Sequence, residues 1–359
     1  MGLFLWTFSF WIDDAEQDAV KKLKRFILVA VFVFAWVCVS IFFLWALGVF
    51  WNQELLPHPF GPVLAVTVLV AFAVLFWRLG RKNQWLTYAG IVIIAAWLLL
   101  QTQQPSHDRN WAKDQEVLAT INFDDDRVTI HGFRHAKYRS ESDFEVGWSD
   151  FSFELSELER VWFVVQLFTT GEGLAHVFLT FEVDTEDYEP EYFAVSVEIR
   201  REANEYFSPT LGLYRRYELN YVFGDERDLV GVRTIMRPDD RVFMYPVNAT
   251  PDQVQQLFVS IADRTNQIAE RPEFYHTLLN NCMNGILRHT VELTHEEISW
   301  FDPKILMPGF SDQYAYDKGI IGNPGQSFDD LEAACRIDQR AREFGIKPGF
   351  SKAIRNEKD

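Results

Sequence analysis

Cysteine is scarce in this 359-residue chain: there are three, Cys38, Cys282 and Cys335. No C-x-x-C pair and no H-E-x-x-H run occurs, so a zinc site has little support and neither metal nor cofactor is expected. Positive charge is also short, with 34 Lys and Arg against 51 Asp and Glu and a net charge of −17. That balance excludes nucleic acid as a natural partner, because phosphates demand a basic patch. Internal repeats and low-complexity stretches are lacking, which excludes a solenoid or a linker array. The most informative absence is local: Phe26 to Trp51, Phe60 to Trp77 and Gln84 to Gln104 hold no charged residue.

A helix rises about 1.5 Å per residue, so about 20 apolar residues cross a hydrocarbon core of about 30 Å. The three uncharged runs are therefore expected to be membrane helices. Trp45, Trp51, Trp77, Trp85 and Trp97 lie at or near their ends, as interfacial aromatic belts do. Lys21, Lys22, Lys24 and Arg25 precede the first run, and Arg78, Arg81 and Lys82 fill the second loop, whereas Asn52 to Pro59 has no Lys or Arg. The positive-inside rule then puts the N-terminus in the cytoplasm and everything after Gln104 on the opposite face. A cleaved signal peptide fits less well, since the first run is too long and lacks a small-residue cleavage site. The aromatic start, with Phe4, Trp6, Phe8, Phe10 and Trp11, suits a membrane surface. The expected organisation is a cytoplasmic segment over 1–25, three membrane helices over 26–104 and one exported domain over 105–359. Residues 1–105 carry +2, so the exported part carries −19.

The exported part has the pattern of an α+β domain. Short strands are expected around Asp124-Asp125-Asp126 and over Arg241 to Val247, and Arg160 to Leu167 is an apolar run. Gly173 to Val183 and Tyr192 to Arg200 form an expected hairpin around the acidic loop Asp184 to Glu191. Thr250-Pro251 opens a helix, with Val254, Leu257, Phe258 and Ile261 at helical spacing. A second helix begins near Asn281. The Gly- and Pro-rich tail after Asp302 is expected to wrap the domain.

Two of these elements carry chemistry. On the first hairpin strand, alternation puts His176 on the less apolar face. If 183 pairs with 191, then 176 meets 198, which places Glu198 and its same-face neighbour Ser196 beside the imidazole. A carboxylate there fixes the tautomer and raises the basicity; a solvated edge pair is the plain alternative. Asn280 or Asn281 is a favourable N-cap, which puts Cys282 in a first helical turn. There the helix dipole lowers a thiol pKa, and free amides can hold an oxyanion. A buried inert thiol, or a Cys282–Cys335 disulfide in an oxidising compartment, are the structural alternatives. Papain-like sites pair a strand His with a helix-start Cys, and the order His before Cys implies a circular permutation. His276 and His289 are rival bases, ranked below His176. Tyr275 and the aromatic stretch Tyr214 to Phe223 suit either an acyl groove or core packing.

The run Phe274-Tyr275 to Leu278-Leu279-Asn280-Asn281-Cys282 resembles the signature of the bacterial Lnb-type periplasmic domain, named for a lipoprotein N-acyltransferase. Trp111 to Gln115, Ala175 to Leu179, Ser196 to Arg200, Tyr217 to Leu219 with Asp225 to Asp228, Leu306 to Ile320 and Phe350 to Arg355 agree with it, so the resemblance covers nearly all of 108–356. It implies an inner-membrane protein with a periplasmic, permuted papain-like (NlpC-type) thiol domain. In that family a Cys takes an acyl chain from a phospholipid and passes it to a lipoprotein amine; by resemblance Cys282 is the nucleophile and His176 the base. The family's named acyltransferases carry their membrane helices after the soluble domain, whereas here they come first, which bears on the substrate more than on the chemistry. The expected mechanism has Glu198 orienting His176, with amides near Cys282 and the Asn281 or His276 side chain holding the oxyanion. A papain-like hydrolase of envelope peptides and a non-catalytic assembly module are the competing classes. Nothing in the sequence indicates an oligomeric state.

Overall fold

The computed structural model describes residues 14–53, 59–79, 84–169, 171, 173–184, 189–294 and 302–355. The aromatic start over residues 1–13 lies outside the described residues. The chain divides into two compact units, Met1–Gln104 and Pro105–Asp359.

The first unit holds helices α1 (Asp14–Asn52), α2 (Phe60–Leu79) and α3 (Gln84–Gln101). Within them Lys21–Asn52, Phe60–Arg78 and Gln84–Gln101 are long and apolar enough to cross a membrane. Most of their apolar side chains face outward, as lipid-facing helices require. Lipid gives helices no hydrophobic reason to associate, so close packing must hold them together. Here Ala46, Ala65, Ala89 and Ala96 are buried, and the Trp36 and Trp85 rings lie 3.9 Å apart. Gly61 permits the closest approach: a Cβ there would stand 2.8 Å from the Trp51 carbonyl oxygen.

The second unit is built on an eight-stranded sheet: β1 (Thr120–Asp124), β2 (Arg127–Tyr138), β3 (Phe144–Glu154), β4 (Leu158–Leu167), β5 (Ala175–Val183), β6 (Glu191–Arg200), β7 (Glu218–Asp225) and β8 (Arg241–Pro246). Its order is β1-β2-β7-β6-β5-β4-β8, with β3 on the other edge of β2. All neighbours are antiparallel except β2 and β7, which meet at Arg134 and Gly224. The turn between β1 and β2 uses Asp125 at φ 53°, a left-handed conformation that Asp tolerates better than most residues. β3 is absent from the expected strands. It is an edge strand whose apolar alternation breaks at Asp150, and Phe153 is its one buried residue.

Period-2 alternation sends the central strands' side chains to two separate cores. Odd positions such as Val165, Val177, Leu179, Phe181, Phe193, Val197, Tyr221 and Phe223 pack under helices α6 (Pro251–Glu270) and α7 (Cys282–Thr294). Even positions such as Trp162, Val164, Phe178, Ala194, Val222 and Met244 pack under α4 (Glu226–Leu229), α5 (Gly231–Thr234) and the chain's end. Tyr217, Tyr221 and Phe223 are thus core residues, so this part of the aromatic stretch packs and lines no groove. α6 starts as its sequence requires: the Thr250 hydroxyl accepts from the Gln253 amide, the Gln253 side chain accepts from the Thr250 amide, and Pro251 holds the first position.

The Gly- and Pro-rich tail forms α8 (Pro303–Leu306), α9 (Ser311–Asp317), α10 (Phe328–Cys335), α11 (Asp338–Phe344) and α12 (Phe350–Arg355). It passes from Ile321, bridged to Val247, to Arg336, bridged to Phe243, and ends under the even face. There Arg355 pairs with the fully buried Glu226 (2.6 Å) and stacks between the Trp162 and Tyr192 rings, 4.1 Å from each.

A second buried ion pair ties β2 to α4. Asp228 accepts from Arg134 Nε (2.8 Å) and Nη2 (2.9 Å), from the Ala136 amide (2.9 Å) and from the Tyr138 hydroxyl (3.2 Å). Breaking one partner of such a pair strands the other charge. Asp228→Ala is therefore expected to destabilise the chain by about 3–5 kcal/mol in urea denaturation. Asp150→Ala, at the exposed His131 contact of 3.0 Å, is expected to change stability by less than about 1 kcal/mol. Equal losses for the two would refute the assignment.

Candidate active site

β5 and β6 pair with Val183 opposite Glu191 and Leu179 opposite Val195. This is the register that the hairpin pattern predicts, and it puts His176, Ser196 and Glu198 on one side. His176 Nε2 lies 2.7 Å from Ser196 Oγ and 3.2 Å from Glu198 Oε1. Ser196 Oγ donates to the same carboxylate oxygen at 2.6 Å. The hydroxyl thus bridges imidazole and carboxylate.

α7 begins at Cys282, after a tight loop. The Asn281 carboxamide caps it: Oδ1 accepts from the Asn284 amide (2.9 Å), and Nδ2 donates to the Thr277 carbonyl (2.6 Å). Gly285 lets the first turn lie close on the sheet. A Cβ there would stand 3.0 Å from Val197 and 3.1 Å from the Tyr221 hydroxyl. The Cys282 thiol is buried and interacts electrostatically with His176 and with the Val177 amide. Since Nε2 faces Ser196 and Glu198, Nδ1 is the ring nitrogen left for the thiol. Cys38, Cys282 and Cys335 are all free, so the alternative disulfide is not formed.

The chain of contacts runs one residue further than sequence reasoning reached. Arg233, on α5, is buried and donates through Nη2 to Glu198 Oε1 and through Nη1 to the Leu229 carbonyl (2.6 Å). Its guanidinium covers the Phe178 ring at 4.9 Å. The available signal was an arginine inside the apolar run Leu229-Val230-Gly231-Val232, a place where a charge needs a partner.

Alternating charges set the protonation states. Burial opposes a charged imidazole, but the Glu198 carboxylate and the Cys282 sulfur outweigh it and raise His176 to about 9. Burial likewise opposes a thiolate at Cys282, yet the imidazolium and the Val177 amide hold the thiol below its ordinary value. Burial would raise Glu198, and His176 and Arg233 instead hold its carboxyl well below the usual range. Both directions favour a thiolate–imidazolium pair. At Cys335 burial outweighs the nearby Arg340, and the thiol is pushed up to about 11.

Tyr275 lies within electrostatic reach of Cys282 and Glu198. Burial first, then those two negative charges, raise its phenol, so it stays a neutral O–H donor. His276 is turned into its own loop, where Nδ1 accepts from the Leu278 and Leu279 amides at 3.2 Å each. His289 is buried between the Ser260 hydroxyl (2.7 Å, Nδ1) and the Tyr221 hydroxyl (3.2 Å, Nε2). Neither of these histidines is hydrogen-bonded to the thiol. Among the described residues no group of three or more His, Cys, Asp or Glu is arranged to hold a metal ion.

Two hollows flank α7. Met283, Ile286, Leu287 and Thr290 line a largely apolar pocket of about 270 Å³ with Phe163, Leu179, Leu257 and Tyr314. A wider groove of about 790 Å³ follows α6, lined by Asp252, Asp263, Arg264, Arg288 and His289, and it contains none of Cys282, His176 and Glu198.

Residues 145–305 match the family described as the Lnb N-terminal periplasmic domain. The chain carries an Lnb-type domain. The matched segment includes His176, Ser196, Glu198, Arg233 and Cys282, and it is narrower than the 108–356 over which the sequence resemblance extends. No curated protein and no solved structure matches the chain. With three apolar helices ahead of it, the Lnb-type domain is a periplasmic domain on a membrane protein.

The ion pair makes Cys282 chemically distinct from Cys335. At pH 7 Cys282 is expected to react with iodoacetamide at least about tenfold faster than Cys335, with a reactivity midpoint below the ordinary thiol value of about 8.5. His176→Ala should abolish most of that advantage; a Cys282 no faster than a free thiol would refute the pair. Gly285→Ala would stabilise an unconstrained helix by up to about 1 kcal/mol. Against Val197 and Tyr221 it is expected instead to destabilise by about 1–3 kcal/mol and to slow Cys282 alkylation. A raised melting temperature would contradict the close packing.

Proposed function

We propose that the protein is a membrane-anchored periplasmic thiol acyltransferase of the lipoprotein N-acyltransferase type, with a circularly permuted papain-like domain. The observation that carries this is the chain of interacting groups Cys282–His176–Glu198–Arg233, with Cys282 in the first turn of a helix. The permutation is supported by a strand histidine that precedes the helix-start cysteine in the sequence. The positive residues around the first and second spans support a cytoplasmic N-terminus.

In the first half-reaction the Cys282 thiolate attacks the ester carbonyl of a phospholipid acyl chain. A C–S bond forms, and the carbonyl oxygen takes the charge. The Cys282 and Met283 amides, at the first two positions of α7, and the protonated Tyr275 hydroxyl are suited to hold that oxyanion. Collapse breaks the ester C–O bond, the His176 imidazolium protonates the departing alkoxide, and a thioester remains. In the second half-reaction a lipoprotein amine attacks the thioester. Neutral His176 takes the amine proton, the C–N bond forms and the C–S bond breaks, restoring the thiolate. Ser196 and Glu198 orient the imidazole, and Arg233 keeps Glu198 ionised. The apolar pocket beside Met283 suits an acyl chain. A hydrolase of cationic envelope peptides would call for carboxylates at the thiol, whereas Asp252 and Asp263 line the separate α6 groove.

Incubation with acyl-labelled phospholipid is expected to leave a hydroxylamine-sensitive label on the wild-type chain, and none on Cys282→Ala. Transfer to lipoprotein that persists in Cys282→Ser or Cys282→Ala would sink the proposal. The acylation step needs both thiolate and imidazolium. Its rate should therefore rise at a pH below the ordinary thiol value and fall as pH passes about 9, where His176 loses its proton. Glu198→Gln should move the falling limb to lower pH.

A further inference from the structure

We infer that the loops around Cys282 form an apolar rim that docks on the lipid surface of a phospholipid bilayer. β5 starts, β6 ends and β7 starts at the same end of the sheet, where α7 also begins. Three loop groups meet there. Leu174 stands two residues before His176, and Leu278 and Leu279 stand just before Cys282. Met307 packs on Gly173, where the Gly309 amide also donates to the Gly173 carbonyl (3.2 Å). Tyr206 and Phe207 belong to a loop held to the Cys282 loop by Thr277, which donates from Oγ1 to the Pro209 carbonyl at 2.6 Å. All six of these apolar side chains are exposed, Leu279 and Tyr206 at 72% each. Among the described residues of this domain, the exposed large apolar side chains outside these loops are Val117, Phe123 and Ile346. The exposure is thus concentrated at one place, as at a lipid- or protein-binding surface.

Charge favours lipid as the occupant. Residues 105–359 carry a large negative excess, which bilayers with anionic headgroups would repel. The rim loops depart from that excess: 173–175, 204–216, 274–281 and 302–310 hold Arg215, Arg216 and Lys304 against Glu205 and Asp302. Exposed leucines together with tyrosine and arginine match the side chains that settle at the boundary of headgroups and acyl chains. The domain also follows α3 directly in the chain, so bilayer lipid is always within reach of a short tether. Docking deepens the acyl-transfer proposal by placing the thiol at the lipid from which its donor would be drawn, and it rests on that proposal only for this benefit.

The test uses the full chain in vesicles of phosphatidylcholine with a trace of labelled phosphatidylcholine. A photoreactive benzoylphenylalanine replaces Leu279, or in a separate protein Asp184, which follows the far end of β5 and is exposed. Light is expected to yield several-fold more lipid adduct at 279 than at 184. Leu278→Glu with Leu279→Glu should lower the adduct from a probe at Leu174, while iodoacetamide alkylation of Cys282 keeps its rate and so reports an intact fold. Equal adducts at 279 and 184, or protein–protein crosslinks from 279 in place of lipid adducts, would overturn the inference, the latter in favour of a second copy. Cys282→Ser must leave the adduct unchanged. Lipid adducts at 279 without a thioester on Cys282 would keep the docking surface and discard the acyl-transfer proposal.

Discussion

The register of β5 against β6 governs the candidate site. Side chains alternate along a strand, so a slip of one residue would carry His176 to the other face and separate it from Ser196 and Glu198. The register is held by the core itself: Val177, Leu179, Phe181 and Val183 on one strand and Phe193, Val195 and Val197 on the other are all buried on the odd face. The geometry of the polar cluster is therefore guaranteed by apolar packing several residues away. α7 lies over that odd face, yet its thiol reaches an even-numbered histidine. The two meet because each stands at the end of its element, His176 second on β5 and Cys282 first on α7. Gly285 permits this by bringing the first turn of α7 down onto Val197.

Inside the domain the four groups alternate in sign, from thiolate to imidazolium to carboxylate to guanidinium. Burying isolated charges is expensive, whereas a closed alternating row has no net charge to desolvate. The row explains why the His176 imidazole is raised and the Cys282 thiol lowered in spite of burial. It also links distant parts of the chain. Arg233 is held on α5, and α5 is in turn held by α11, where Arg342 donates to the Thr234 carbonyl at 2.9 Å and Ile346 lies against Gly231.

Much of this was legible in the residues because it depends on periodicity and local signals. The uncharged runs gave the three apolar helices, alternation gave β5 and β6, and the run Arg241 to Val247 marked β8, whereas Arg160 to Leu167 read only as an apolar run. Thr250-Pro251 gave the start of α6, and Asn281 the start of α7. The proximity of His176 to Glu198 followed from hairpin register alone. What escaped depends on long-range contacts. β3 is a half-exposed edge with weak alternation, so its pairing with β2 decides its state. Arg233 reads as a misplaced charge until Glu198, 35 residues earlier, is seen beside it. Asn281 and His276 were plausible oxyanion donors by position, but the loop uses their polar atoms to close itself.

The clasp of Arg355 on Glu226 bears on how the protein is made. Glu226 is fully buried and receives Arg355 from α12, the last described helix. A chain emerging from its N-terminus would expose β5, β6 and α7 long before that guanidinium exists. Until then Glu226 is an unpaired carboxylate under an uncovered apolar face, and α5, which carries Arg233, lacks its support from α11. Synthesis thus delivers the strands and the thiol helix before α11 and α12, the segments that support α5 and pair with Glu226.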